Sequence, residues 1–139
     1  MNSVSTSSQE TTFSKNGILF YLVDDDDLFH LIHNRFIKSQ LPDAEIVNFI
    51  DPRDALTTIL ENTQQPGIVL LDLNMPYMTG WEWLSAFAKQ TDLSTLALNI
   101  FILSSSDSNQ DRARVKDYPF VKGYLVKPLT QADISKIIS

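Results

Sequence analysis

Four places along the chain carry residue types able to handle a phosphoryl group: the run Asp24-Asp25-Asp26-Asp27, a lone Asp72, the run Ser104-Ser105-Ser106, and Lys127 followed by Pro128. Carboxylates that converge repel one another, and each resists ionisation unless a cation shares the site. Magnesium answers that need: it takes oxygen ligands, keeps several waters, and combines one or two protein carboxylates with phosphoryl oxygens. The set therefore asks for Mg²⁺ and phosphate together. Lys127 supplies a compact positive charge, able to pair with Asp72 at rest and with a phosphoryl oxygen during transfer, and Ser104 supplies a hydroxyl donor. An aspartate placed among such groups is also a nucleophile able to hold an acyl phosphate.

For these residues to meet, the elements before them must end at one edge. Residues 18–23, 45–50, 68–71, 99–103 and 124–126 are short, continuously apolar and rich in β-branched or aromatic side chains, as buried strands are. Helix-length segments lie between them, the pattern of a parallel α/β sheet. The first carries Leu28, Leu31, Ile32 and Phe36 on one face, with Asp26 or Asp27 placed to cap it; the second opens with Asp51, Pro52 and Asp54. The third follows Gly80 with Trp81, Leu84, Phe87 and Ala88 on one side, and the last pairs Thr130 with Asp133 as a capping box before Ile134, Ile137 and Ile138. A fourth helix, around residues 110–116, is the most weakly marked. In an open parallel sheet ligands bind beyond the carboxyl ends of the strands, where the strand order reverses. The aspartates, the serines and the lysine all follow strands directly.

The rest of the composition narrows the function. The chain has 139 residues, the size of one domain with a substantial core, and 43% apolar side chains. Its net charge of -6 repels phosphate backbones and anionic lipid, which argues against nucleic-acid or membrane partners. Without cysteine there is no disulfide framework or thiolate site, and without a long apolar run or a leader pattern the expectation is a cytoplasmic protein. Residues 1–16, dominated by Ser, Thr, Gln and Asn, are expected to form a flexible polar tail ahead of a domain spanning residues 17–139.

Four motifs in this order resemble the receiver domain of two-component response regulators: Val23-Asp24-Asp25-Asp26, Leu70-Leu71-Asp72-Leu73-Asn74-Met75-Pro76 with Gly80, Leu103-Ser104-Ser105, and Gly123-Tyr124-Leu125-Val126-Lys127-Pro128. The resemblance implies a flavodoxin-like three-layer sandwich, a five-stranded parallel sheet in the order 2-1-3-4-5 with five helices. It implies Asp72 as phosphoacceptor from a phosphohistidine on a sensor histidine kinase or a histidine phosphotransfer protein. Asp25, Asp72 and the backbone carbonyl of Asn74 would ligate Mg²⁺, with Asp24 acting through water. Lys127, ahead of a cis Pro128, and Ser104 with the amide of Ser105 would bind phosphoryl oxygens, and Tyr124 would change rotamer as Ser104 moves. An unknown output protein would then read helix four, strand five and helix five, the chain being a monomer or a phosphorylation-dependent dimer.

Some features depart from that pattern. Ser104 stands where threonine is commoner and loses a stiffening methyl. Pro119 stops helix four and leaves Tyr118, Phe120 or Val121 available to a partner. Asn74 and Ser106 occupy the positions that tune phosphate lifetime in the family. His30 and His33 lack a third ligand and are expected to be structural, exposed or half-buried, and Trp81 and Trp83 to divide between core and surface. Two other functions share the fold: a phosphate-independent interaction module, and the receiver part of a longer regulator with a separate output domain. A flavodoxin would need a Ser/Thr/Gly loop where the four aspartates stand, and a dehalogenase-type phosphatase a second aspartate where Asn74 stands.

Overall fold

The computed structural model describes residues 17–139; the tail expected over residues 1–16 lies outside them. Five strands, β1 (Leu19–Val23), β2 (Glu45–Phe49), β3 (Gly67–Leu71), β4 (Leu98–Ser104) and β5 (Val121–Val126), form one sheet in the order β2-β1-β3-β4-β5, every pair parallel. Five helices alternate with them: α1 (Asp27–Gln40), α2 (Pro52–Leu60), α3 (Gly80–Gln90), α4 (Asn109–Arg114) and α5 (Gln131–Ile138). This is the expected flavodoxin-like sandwich. β4 and β5 each run longer than their apolar core suggests, and β5 begins at Val121, two residues after Pro119.

Strand alternation feeds two cores. Phe20, Leu22, Leu70, Phe101 and Leu125 point to the side covered by α1 and α5, where they meet Ile37, Ile134 and Ile137. Tyr21, Val23, Val69, Leu71, Ile100 and Ile102 point to the other, where α2 and α3 bring Ala55, Ile59, Trp83, Leu84 and Phe87. Trp83 is fully buried and donates its indole N–H to the Pro52 carbonyl at 3.0 Å, tying α3 to the first turn of α2. Trp81 is buried as well, stacked on Tyr118 under the Arg114 guanidinium, so both tryptophans belong to the core.

The caps explain where the helices start. Asp26 accepts from the Leu28 amide, Asp51 from Arg53, and Thr130 and Asp133 form a reciprocal capping box. A second capping box, Thr79 with Glu82, opens α3. α4 is short, buries no residue, and passes into a 3₁₀ turn, Val115–Asp117, before Pro119.

α1 overturns most of the expected face: of its four residues only Phe36 packs against the core. Its inward arc is His30, His33 and Ile37, whereas Leu28, Leu31 and Ile32 are 60%, 49% and 37% exposed. The histidines are buried, not exposed or half-buried, because their ring nitrogens find partners inside. His30 Nε2 lies 2.7 Å from the Asp24 carbonyl and 3.1 Å from that of Phe49, and Nδ1 lies 2.9 Å from Asn48 Oδ1. Among the described residues no helix is long and apolar enough to cross a membrane.

Candidate functional site

Backbone bonds at the ends of the ladder place Asp24, Asp72 and Lys127 just past their strands and Ser104 as the last residue of its own. The Asp24 amide donates to the Phe49 carbonyl at 3.0 Å, the Asp72 amide to Val23 at 2.9 Å, and the Lys127 amide to Ser104 at 2.9 Å. Strands β1, β3, β4 and β5 therefore deliver Asp24, Asp72, Ser104 and Lys127 to one edge, as the sequence expects. The Lys127-Pro128 peptide is cis.

At that edge the Lys127 ammonium sits between two carboxylates, 2.6 Å from Asp24 Oδ2 and 3.5 Å from Asp72 Oδ2, with its side chain 4% exposed. The expected resting pair with Asp72 is thus shared, and Asp24 is the nearer partner. Asp24 spends its other oxygen on the Asp26 amide at 2.9 Å. Asp72 accepts from the Asn74 amide at 3.4 Å. Burial pushes the Asp72 carboxyl up to about 6; the Lys127 charge opposes this, Asp24 adds to it, and the Asn74 and Leu73 amides oppose it.

Asp24, Asp25 and Asp72 each offer an oxygen within 4.8 Å of the others, and Asp25 is the least buried of the three. An all-oxygen set of this kind suits a hard divalent cation such as Mg²⁺. Asn74 follows on the same loop, its side chain exposed and its amide engaged by Asp72.

Gly80 makes the loop possible. Its amide donates to the Leu73 carbonyl at 2.9 Å, and a Cβ there would stand 2.6 Å from the Asp72 carbonyl oxygen and 2.9 Å from Leu73 Cα. Both obstacles are backbone of the segment that holds Asp72. Gly80→Ala is expected to cost about 1–3 kcal/mol of stability, the range for overpacking, and to weaken divalent-cation binding at Asp72. Denaturant unfolding and a calorimetric Mg²⁺ titration of the same samples check both effects.

On the β4 side, Ser104 is fully buried and its Oγ accepts from the Ser106 amide at 3.1 Å. The Ser106 hydroxyl donates to Asp111 Oδ2 at 2.9 Å, fixing the loop to α4. Tyr124 is buried, donates its hydroxyl to the Ser106 carbonyl at 2.6 Å, and carries the Arg112 guanidinium 5.0 Å above its ring. Ser104 and Tyr124 therefore meet through Ser106, a link that residue spacing did not reveal. Beyond α4, Tyr118 and Phe120 are half-buried and pack edge to face, while Val121, expected to be available to a partner, is buried because β5 already begins there.

Residues 20–139 match the family model described as the response regulator receiver domain. The curated Regulatory protein VanRB of Enterococcus faecalis is 35% identical over 119 residues, covering 80% of this chain and 50% of that protein, so the chain spans about half of that relative's length. Response regulator Rcp1 of Synechocystis is 25% identical over 122 residues, covering 84% of this chain and 81% of its own. Its Mn²⁺-bound crystal structure superposes with a TM-score of 0.66 over 87% of this chain and 88% of that one. A two-component response regulator from Cytophaga hutchinsonii matches with a TM-score of 0.79 at 25% identity, covering 88% of this chain and 94% of that chain. With the strand order, the edge that gathers the aspartates and the lysine, and a family match running from β1 to the last residue, the chain belongs to the response regulator receiver domain family of two-component signalling.

Proposed function

We propose that the chain is a phosphorylation-activated receiver that takes a phosphoryl group from a phosphohistidine onto Asp72 and thereby switches a partner-binding face. The observation that carries this reading is the convergence of three carboxylate oxygens within 4.8 Å of one another, two of the carboxylates sharing the buried Lys127 ammonium. An Asp72 carboxylate oxygen attacks phosphorus, the P–N bond to the donor imidazole breaks, and the imidazole leaves with the bonding pair and takes a proton. Lys127 turns from the carboxylates to a phosphoryl oxygen, and Ser104 Oγ with the Ser105 amide holds others. Asp25, Asp72 and the Asn74 carbonyl would hold Mg²⁺, with Asp24 acting through water, and the bound ion would supply charge neutralisation.

The donor is a sensor histidine kinase or a histidine phosphotransfer protein. The exposed Leu28, Leu31 and Ile32 on the helix that starts at the acidic loop offer it an apolar strip. As Ser104 is drawn toward the phosphoryl group, its bond to the Ser106 amide loosens and Tyr124 loses its anchor on the Ser106 carbonyl, which shifts α4 against β5 and α5 for an output protein to read. In this reading the protein is a cytoplasmic signalling switch, a monomer or a phosphorylation-dependent dimer, that catalyses its own phosphorylation and slow dephosphorylation. That the chain spans half of VanRB also favours a second reading, the receiver part of a longer regulator.

Intact mass after incubation with acetyl phosphate tests the proposal. One added HPO₃ is expected for wild type with Mg²⁺, and none with EDTA or for Asp72→Asn. A folded wild type that gains no mass with Mg²⁺ overturns it in favour of a phosphate-independent interaction module.

A further inference from the structure

The Lys127 ammonium has a third neighbour that is not an oxygen. Its Nζ lies 4.1 Å from the centroid of the Phe29 ring. An ammonium has three N–H donors. Two have carboxylate partners in Asp24 and Asp72, and the remaining side of the charge faces the electron-rich ring.

His33 stacks on Phe29, nearly parallel to it at 16° with the centroids 5.5 Å apart. His33 is 1% exposed, and its Nε2 accepts the Leu129 amide at 3.4 Å. Burial, and after it the Lys127 charge, lowers the His33 pKa to about 4, so near neutral pH the ring is uncharged and does not repel the ammonium. Leu129 follows Lys127 by two residues. The pile therefore closes on itself, from the Lys127 loop through the Leu129 amide to His33, to Phe29 and back to the ammonium.

We infer that Phe29 is a positioning residue for phosphoryl transfer, a ring that keeps the Lys127 ammonium dry and aimed while leaving it free to change oxygen partners. The inference rests on the reading of Lys127 as a ligand of the phosphoryl group. An oxygen acceptor or a water in the place of Phe29 would compete with the phosphoryl oxygen for the same donor. A π face attracts the charge without a directional lone pair, so Lys127 turns from Asp24 and Asp72 toward an incoming oxygen without giving up that contact. Two of the side chains that arrange this, His33 and Phe29, come from the buried and flanking arcs of α1.

The test compares wild type, Phe29→Leu and Phe29→Tyr in the full chain with Mg²⁺ and phosphoramidate as donor. Uptake is followed by intact mass, the Lys127 side-chain proton resonances by NMR, and folding by denaturant midpoint. Phe29→Leu is expected to take up the group about tenfold more slowly, the scale of a desolvated cation–π contact, and Phe29→Tyr to restore the wild-type rate. In wild type and Phe29→Tyr the Lys127 methylene protons nearest the charge are shielded by the ring, and in Phe29→Leu they move downfield. A folded Phe29→Leu with the wild-type rate overturns the inference, as does a folded Phe29→Tyr as slow as Phe29→Leu, or a wild type whose Lys127 protons are unshielded. A wild type that takes up no phosphoryl group overturns the functional reading first and this inference with it; shielding that persists marks that case.

Discussion

Lys127→Met is expected to lose roughly 3–5 kcal/mol of stability at pH 7, as removal of one partner from a buried ion pair does. Phosphoryl uptake should fall by about a hundredfold or more, as for loss of one charge-stabilising donor at a reacting centre. The ammonium is 2.6 Å from Asp24 and 3.5 Å from Asp72, and all three side chains are nearly sealed from water. Without it two carboxylates face each other in a dry edge. The charge that lowers the Asp72 pKa is gone, so that pKa, already raised to about 6, rises further. A carboxyl whose folded pKa lies above its unfolded value of 3.8 costs the fold nothing below that value and an increasing amount as pH rises through the folded pKa. The deficit of Lys127→Met should therefore be largest at neutral and alkaline pH and shrink toward pH 4. Urea unfolding across that range reads it; a deficit independent of pH would place the lysine's contribution in packing alone.

The second large effect has the opposite sign. Asp72→Asn, in EDTA, is expected to be more stable than wild type at pH 8 by roughly 2–3 kcal/mol, from a shift between 3.8 and about 6 at about 1.36 kcal/mol per unit. Ionisation of Asp72 destabilises the fold increasingly from pH 3.8 up to about 6 and by a constant amount above that, whereas the amide carries no charge to desolvate and leaves Lys127 its closer partner Asp24. The two stability curves should converge as pH falls toward 4. Equal stabilities at pH 8 would show that the carboxylate is better solvated than its burial implies. The stabilising substitution would also remove the proposed phosphoacceptor, the stability cost expected where a functional carboxylate is held out of water.

How much of this was legible in the sequence follows from which forces the sequence displays. The sheet and its order of elements were legible because buried parallel strands read as continuous apolar runs, and because Asp24, Asp72, Ser104 and Lys127 each follow such a run directly. The bounds were less so: β5 starts at Val121 because a register irregularity at Ile100/Phe101 lets Val121 join the ladder ahead of Gly123, which apolar content does not announce. α1 was misleading for a physical reason. Its aliphatic arc looked like a core face, but the inward arc belongs to His30 and His33, whose nitrogens meet the Asp24, Phe49 and Leu129 backbone and Asn48. Such partners are visible only after the chain has folded. The same holds for Ser106, whose amide and carbonyl join Ser104 to Tyr124, and for Phe29, whose position one residue from the buried arc gives no sign of the charge it covers.

The bond from the Trp83 indole to the Pro52 carbonyl gives the molecule an internal clock. A fully buried indole proton exchanges with solvent only when its surroundings open, and this one is released when α3 separates from the start of α2. Its exchange rate measures the opening of that helical layer separately from the strand amides, which report on the sheet. α2 and α3 lie on the face opposite α1 and α5, so one slowly exchanging proton distinguishes loosening of a single outer layer from unfolding of the whole.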